Sequence, residues 1–267
     1  MPYNPGPEVT AGQTMPYNPE LAIVIPVYNE SENLAGLLRD WLPLFNETRA
    51  SYRVFLIDDG STDASLSLLQ RLQSEDPNLS VHTQKNAGHG RAILKGYTLA
   101  LDAKAEWIFQ IDSDHQLDTG AFAQLWANRN DYDFLIAQRG DRYASKGRRW
   151  ISRVSTCMVR SLYGPGVADV NCPYRLMRGE AMKRALENIP PNSFAPNVLL
   201  TSWFILKKRR IFTTVVEPQS HGLRQSRLNR NFLGGAFRSC IQTILFRIRC
   251  RESIHLSFFL SLAFPFC

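Results

Sequence analysis

Leu21-Ala-Ile-Val-Ile25-Pro26-Val-Tyr28-Asn-Glu30-Ser31, followed by Leu34, Leu37, Leu38, Trp41 and Leu42, holds the pattern from which the rest of the chain can be read. The unbroken apolar run from Leu21 to Ile25 predicts a buried strand. The leucines and Trp41 then fall at i, i+3, i+4, i+7 and i+8, the apolar face of an amphipathic helix, with Ser31 as its expected N-cap. The same unit recurs downstream. A strand from Tyr52 to Ile57 precedes a helix opened by Asp63 or Ser65 and carrying Leu66, Leu69 and Leu72. A strand from Leu79 to Thr83 precedes a helix with Ile93, Tyr97, Ala100 and Leu101, and a strand from Trp107 to Ile111 precedes one with Phe122, Leu125 and Trp126. A fifth strand is expected from Asp133 to Ala137. Strands and helices alternating at this spacing predict an α/β fold, a mostly parallel sheet flanked by helices on both faces.

The pattern loosens after Ala137. A loop over 139–147 leads to a helix with Ile151, Val154, Met158 and Leu162. A strand at Pro173 to Arg178, helices near Glu180 to Glu187 and Asn197 to Lys207, and a last strand at Ile211 to Val216, at the sheet edge, complete the expectation.

Two of the strands run straight into carboxylates. Trp107-Ile-Phe-Gln-Ile111 ends in Asp112-Ser-Asp114, and Tyr52 to Ile57 ends in Asp58-Asp59-Gly-Ser-Thr-Asp63. Acids separated by a single residue repel each other unless a cation, an arginine or water compensates them. A hard divalent ion such as Mg²⁺ suits the first pair, because it binds through one or two carboxylates and completes its shell with phosphate oxygens and water. Ligands of open α/β sheets collect beyond the carboxyl ends of the strands, so both acidic ends are expected to face one crevice. A turn and helix cap account for Asp63 but not for Asp58 and Asp59.

Length and composition leave the function open. The 267 residues, 44% hydrophobic and 21% charged, are those of one ordinary folded domain with an appendage. The net charge of +7 is matched by seven arginines between Leu223 and Arg251, a segment with no acid, so the excess is local and argues against a nucleic-acid partner. Five scattered cysteines, none in Cys-x-x-Cys spacing, point to a reducing, cytosolic setting without zinc. No secretory signal is visible at the N-terminus. Met1-Pro-Tyr-Asn-Pro5 repeats as Met15-Pro-Tyr-Asn-Pro19, so residues 1–19 read as a disordered leader, with Met1 and Met15 both open as the start.

Four motifs in order carry a resemblance. Ile25-Pro-Val-Tyr-Asn-Glu30, Asp58-Asp59-Gly-Ser-Thr-Asp63, Asn86-Ala-Gly-His-Gly90 with Ala92 and Gly96, and Asp112-Ser-Asp114 have the order and spacing of family 2 glycosyltransferases, over roughly residues 20 to 230. The resemblance implies a Rossmann-like GT-A fold for residues 20–230 and a nucleotide-sugar donor. It implies Asp112 and Asp114 as catalytic residues holding Mg²⁺ or Mn²⁺, with Gln116 as a further ligand. Pro26, Tyr28, Glu30, Asp58 and Asp59 match positions lining the nucleotide pocket, and Gly88 and Gly90 would let backbone approach the ligand.

Within that family the chain is most similar to the dolichyl- and polyprenyl-phosphate sugar transferases, of the dolichol-phosphate mannose synthase type. Gln138-Arg139, Arg149-Trp-Ile-Ser152, Asp169-Val-Asn-Cys-Pro-Tyr-Arg175 and His221-Gly-Leu-Arg224 with Ser226-Arg227-Leu228 resemble their acceptor-side segments. A phosphate acceptor is already an anion. It needs cations to hold it beside the donor more than it needs a general base. Arg139, Arg149, Arg224 and Arg227 are the expected cations, and a solvated basic face is the alternative for each. Asp169 is either a catalytic base or the partner that orients Arg175. Three departures fall on this side: a glycine is missing before Ser226, Cys172-Pro173 stands where small residues are common, and Arg227 stands for the usual Lys. The histidines 82, 89, 115, 221 and 255 form no metal spacing, and His115 reads as a solvated neighbour of the acids.

The tail, residues 231–267, reads as a membrane-associated appendage. Phe232, Leu233, Phe237, Ile241, Ile244, Leu245 and Ile248 fall at helical spacing among arginines, which suits a helix lying on an anionic bilayer or packed on its own domain. The largely apolar stretch from Ile254 to Cys267 is 14 residues long, short of the ~20 that span a membrane, so it reads as an interfacial anchor or a truncated span. Arg247, Arg249 and Arg251 before them favour the cytoplasmic side.

The expectation is therefore a metal-dependent, inverting transferase that moves a sugar from a nucleotide to a polyprenyl phosphate at the cytoplasmic membrane face. One rival acts on a sugar hydroxyl, which would require a carboxylate base; no convincing Glu-Asp pair follows the last strand, and Lys146 holds the Gln position of a Gln-x-x-Arg-Trp motif before Arg149-Trp150. The other is a non-catalytic nucleotide-sugar-binding scaffold. Oligomeric state has no signal in the sequence.

Overall fold

A computed structural model describes residues 18–139, 146–217, 219 and 232–250, with the side chains of 146–152, 232, 233 and 236 excepted. Among the described residues seven strands form one sheet: β1 (Leu21–Val27), β2 (Tyr52–Asp58), β3 (Leu79–Thr83), β4 (Trp107–Gln110), β5 (Phe134–Arg139), β6 (Arg175–Arg178) and β7 (Ile211–Val216), in the order β3-β2-β1-β4-β6-β5-β7. All pairings are parallel except those of β6, which runs antiparallel to β4 and β5. The expectation of a mostly parallel α/β sheet is met, and β7 lies at the edge.

The helices are α1 (Ser31–Glu47), α2 (Ser65–Glu75), α3 (His89–Asp102), α4 (Ala121–Ala127), α5 (Lys146–Tyr163), α6 (Gly179–Leu186), α7 (Pro196–Leu206) and α8 (Phe232–Arg249). Leu34, Leu37, Leu38, Trp41 and Phe45 of α1 are buried, as their spacing requires. Trp41 sits in an aromatic cluster with Phe45, Phe109, Phe122 and Tyr174, on the face of the sheet covered by α1 and α4. On the opposite face α3 packs directly on β1 and β2, and Phe204 of α7 stacks on Phe134 of β5. Aromatic pairs of this kind add about 0.5–1.5 kcal/mol each beyond their burial.

Local capping differs from the expectation. Ser31 is the first helical residue rather than the cap, and its N–H is taken by Oδ2 of Asp63, whose Oδ1 accepts the N–H of Ser65. One carboxylate from the β2–α2 loop thus serves the starts of two helices. Asn29, in the left-handed region at φ 55°, accepts from the N–H groups of Thr62 and Asp63. The loops after β1 and β2 are stitched together at the carboxyl edge of the sheet.

The leader lies outside the described residues as far as residue 17. Pro19 already belongs to the domain, since it is buried and its carbonyl accepts the N–H of Glu106. The segment after position 250 is also outside the described residues. No described helix is long and apolar enough to cross a membrane.

Candidate active site

The strand order reverses at β1 and β4, and ligands of open α/β sheets bind at such a switch point. A cavity of about 360 Å³ opens there, lined by the loops that follow β1, β2, β3 and β4. Pro26, Tyr28, Glu30, Asp59, Gly88, Asp112 and Asp114, all named from the sequence, are in its wall. Val27, Asn86, His89, Ala92 and Ser113 complete it.

The wall is acidic. Glu30, Asp59, Asp112 and Asp114 bring four carboxylates to one concavity, where among the described residues His89 is the one lining group able to carry positive charge. Asp59 is already compensated: it accepts hydrogen bonds from the side chain of Gln84 at 2.8 Å and from the N–H groups of Ala87 and Gly88 at 2.9 and 2.8 Å. It holds the β3–α3 loop closed behind the cavity. Gly88, at φ +93°, sits in the left-handed region, where a side chain would strain the backbone.

Asp112 meets Gln110 and His89. Gln110 Nε2 lies 3.2 Å and His89 Nε2 3.5 Å from the same oxygen, Oδ1. Among the described residues no three His, Cys, Asp or Glu side chains come together as a metal cage. Two carboxylates beside an open cavity fit Mg²⁺ or Mn²⁺ all the same, because such ions complete their shell with phosphate oxygens and water. Gln116 is not among the cavity's lining; its N–H faces Asp114 Oδ1 at 3.4 Å and its carbonyl accepts the N–H of Gln219.

Three residues named from the sequence do other work. Asp58 is fully buried below the cavity, accepting from the Ser61 N–H and the Thr83 hydroxyl, so it closes its own turn onto β3. Gly90 faces protein rather than ligand: a Cβ there would stand 2.5 and 2.7 Å from the carbonyl oxygens of Ser193 and Phe194. His115 is not a solvated neighbour. At φ 53° it turns back onto α1, where its Nε2 lies 2.9 Å from Asp40 Oδ2, and Gln219 Nε2 reaches that oxygen at the same distance. Burial would raise the Asp40 pKa, but hydrogen bonds from Gln219, His115 and Arg39 hold it below the ordinary value. The chain after β7 is thereby tied to the loop carrying the acid pair.

Of the residues expected to meet the acceptor, Arg139 at the end of β5 is gripped by Asp169 through Nε at 2.7 Å and Nη2 at 3.2 Å. Burial opposes the charge on Arg139, but the charge and hydrogen bonds of Asp169, together with Cys172 and Asp112, raise its pKa above the ordinary value. Asp169 does not orient Arg175. That fully buried guanidinium is held by the carbonyls of Cys172, Val170 and Asn197. Arg149 lies on α5 with its side chain outside the described residues, as are Arg224 and Arg227 altogether.

Helix α8 packs on α5 and α7 through Ser239, Thr243 and Phe246, which are buried. Tyr163 donates to the Thr243 carbonyl, Arg247 to the Leu162 carbonyl, and Gln242 accepts the Phe194 N–H. Its apolar stripe points the other way, with Phe237, Ile241, Ile244, Leu245 and Ile248 between 40% and 66% exposed. The helix packs on its own domain, as one reading allowed, but through a mixed face of Ser239, Thr243 and Phe246 rather than through its apolar stripe.

His89 and Gln110 are the site residues that sequence reasoning passed over. Each had a signal. His89 lies between two glycines at the start of α3, and Gln110 is the one polar residue in an apolar strand, two positions before Asp112 and so on the same face of the pleat.

The sequence profile described as Glycosyl transferase family 2 matches residues 22–189. An undecaprenyl-phosphate 4-deoxy-4-formamido-L-arabinose transferase of Pseudomonas fluorescens is 31% identical over 179 residues, 66% of this chain and 52% of that protein. The chain thus spans about half the length of the curated relatives it matches. Among solved structures, glucosyl-3-phosphoglycerate synthase from Mycobacterium tuberculosis in complex with Mn²⁺, UDP and glucosyl-3-phosphoglycerate superposes with a TM-score of 0.59 at 18% identity, over 92% of this chain and 88% of that one. A mannosyltransferase from Pyrobaculum calidifontis in complex with GDP-Man and Mn²⁺ gives 0.57 at 17% identity, over 92% and 68%. At that identity the likeness establishes the fold, which is the GT-A arrangement.

Proposed function

Because the chain belongs to glycosyl transferase family 2, we propose that it moves a sugar from a nucleotide-sugar donor to a polyprenyl phosphate at the cytoplasmic face of a membrane, with inversion at the sugar carbon. The observation that carries the donor side is the meeting of Asp112 and Asp114 in one acidic cavity at the switch point of the sheet. A bare diphosphate would be repelled there, whereas a diphosphate with its divalent ion is not. Bound to Asp112 and Asp114, Mg²⁺ or Mn²⁺ supplies Lewis-acid stabilisation of the charge that develops on the departing diphosphate.

The protein's own groups do the rest. Asp59 fixes the Ala87–Gly88 backbone at the cavity wall, and Tyr28, 47% exposed, offers an aromatic face at its mouth. Arg139, fixed by Asp169 through Nε and Nη2, has Nη1 outside that pair and is proposed to receive an acceptor phosphate. Arg149, Arg224 and Arg227 are proposed to join it. In this arrangement Asp169 acts by fixing Arg139 rather than as a base, since the dianionic form of a phosphate acceptor has no proton to surrender.

The acceptor class is supported by the relatives named as undecaprenyl-phosphate transferases. The membrane is supported by the outward apolar stripe of α8 with Arg238 and Arg249 exposed beside it, the composition of a helix lying in an anionic interface. The deciding experiment supplies membranes containing polyprenyl phosphate with a panel of radiolabelled nucleotide sugars, with Mn²⁺ or with chelator. Metal-dependent label in a mild-acid-labile lipid, of inverted anomeric configuration, is the expected result. Donor binding without label in lipid would transfer the assignment to a hydroxyl acceptor or to a binding role.

A further inference from the structure

We propose that Tyr97 and Gln110 form a two-link positioning relay that turns the Asp112 carboxylate toward an arriving divalent cation. The relay rests on the metal reading of the cavity given above, and it assigns work to two buried polar residues.

Both are wholly buried, Gln110 on β4 and Tyr97 on α3. Burying an amide and a phenol among apolar neighbours is unfavourable unless each finds a partner. Here the partners run in one direction only. Asp112 is an anion, so only an N–H can face it, and the Gln110 group 3.2 Å from Asp112 Oδ1 is therefore Nε2. Gln110 Oε1 is then turned inward, where it requires a donor, and the Tyr97 hydroxyl supplies one at 2.8 Å. Asn197 Oδ1 is a second acceptor for the same proton at 3.3 Å, and the nearer bond takes it. Reversing the Gln110 amide would place oxygen against carboxylate and forfeit the bond to Asp112.

The consequence falls on Asp112. A carboxylate on a loop after a strand rotates freely unless one oxygen is tethered, and Gln110 tethers Oδ1, with His89 beside it at 3.5 Å. Among the described residues the contacts gather on that oxygen, so the other is the one presented to a metal. The tether reaches back to α3, whose first residues line the same cavity, so the acid and the glycine-rich loop are set by one helix. Outer hydrogen bonds of this kind typically change metal affinity about 10–100-fold when removed.

The test is Mn²⁺ binding to the full chain, followed by loss of the free-ion electron paramagnetic resonance signal, for the parent, Tyr97→Phe and Gln110→Met. Tyr97→Phe keeps the ring and removes one oxygen, so it serves even where Gln110→Met fails to fold. Both variants are expected to bind Mn²⁺ about tenfold or more weakly, and Asp112→Asn is expected to make Tyr97→Phe silent. A merely structural role would lower the metal-free melting temperature and leave the Mn²⁺ Kd unchanged. That result, with the parent still binding Mn²⁺, overturns the relay and spares the metal reading. A parent that binds no Mn²⁺ overturns both.

Discussion

Asp169 and Arg139 form a two-point ion pair across 30 residues of sequence, with side chains only 11% and 27% exposed. The pair explains why an acid lies among the expected acceptor-binding arginines: it fixes the direction of one of them. Replacing Asp169 by Asn keeps one acceptor oxygen and removes the charge, with an expected loss of roughly 1–3 kcal/mol of stability. In the transfer assay the acceptor KM is expected to rise while kcat changes little, and Arg139→Lys, which loses the two-point geometry, should behave alike. A fall in kcat with an altered pH profile and an unchanged KM would instead make Asp169 a base.

Asp112→Asn and Asp114→Asn are expected to lower turnover about 10²–10³-fold, the usual scale for removing one electrostatic contact to a transition state. Their melting temperatures in the absence of metal should hold or rise, because each change relieves repulsion between neighbouring carboxylates. Calorimetry of the metal-free protein beside the radiolabel assay checks both halves. Full activity in Asp112→Asn would remove the metal mechanism.

The outward stripe of α8 sets a membrane prediction. Ile244→Asp and Ile248→Asp replace side chains whose transfer out of water favours binding by about 1.5–3 kcal/mol each, so either change is expected to lower partition onto phosphatidylglycerol vesicles by tenfold or more. Arg238→Gln should have a smaller effect, on the order of 1 kcal/mol, that disappears at high salt. Vesicle co-sedimentation at two ionic strengths separates the two contributions.

Asp63 links acid stability to capping. Despite some burial, which raises its pKa, hydrogen bonds from Ser65 and Ser31 lower it from 3.8 to about 2. A carboxyl with a depressed folded pKa stabilises the protein fully above its unfolded value, and that stabilisation is lost as pH falls from about 4 toward 2. Asp63→Ala is expected to cost about 1 kcal/mol at neutral pH through the lost caps and to flatten the melting curve over that acid window. Because Asp63 is exposed, solvent screening keeps the pH-dependent part small.

Cysteine chemistry gives a direct readout of the fold. Burial pushes the Cys172 thiol up to about 12, while Cys157 is exposed. Alkylation near pH 8 should therefore label Cys157 and spare Cys172 until the chain unfolds, since the thiolate is the reactive species. Mass mapping of labelled peptides checks it.

The alternation of strands and helices and the acid pair just beyond β4 were legible in the sequence, because each depends on a short period or on position at a strand end; seven residues of the cavity wall were named, several of them through the family resemblance, while His89 was passed over. The apolar runs at Leu21 to Ile25 and Trp107 to Ile111 declare buried strands whatever surrounds them. The choice of partner was not legible. Asp169 read as a base or as the partner of Arg175, and only the tertiary structure, which brings the end of β5 beside the loop before β6, gave it Arg139. Asp58 and Asp59 are identical neighbours in the sequence, yet one closes a turn and the other holds a loop at the cavity wall. His115 turned out to bind α1, and α8 to face outward with its apolar side, because hydrogen bonds and packing between residues far apart in the chain select one partner among several of equal chemistry. Periodicity is local information; which donor meets which acceptor is decided by the tertiary structure, where burial makes each unpaired polar group costly.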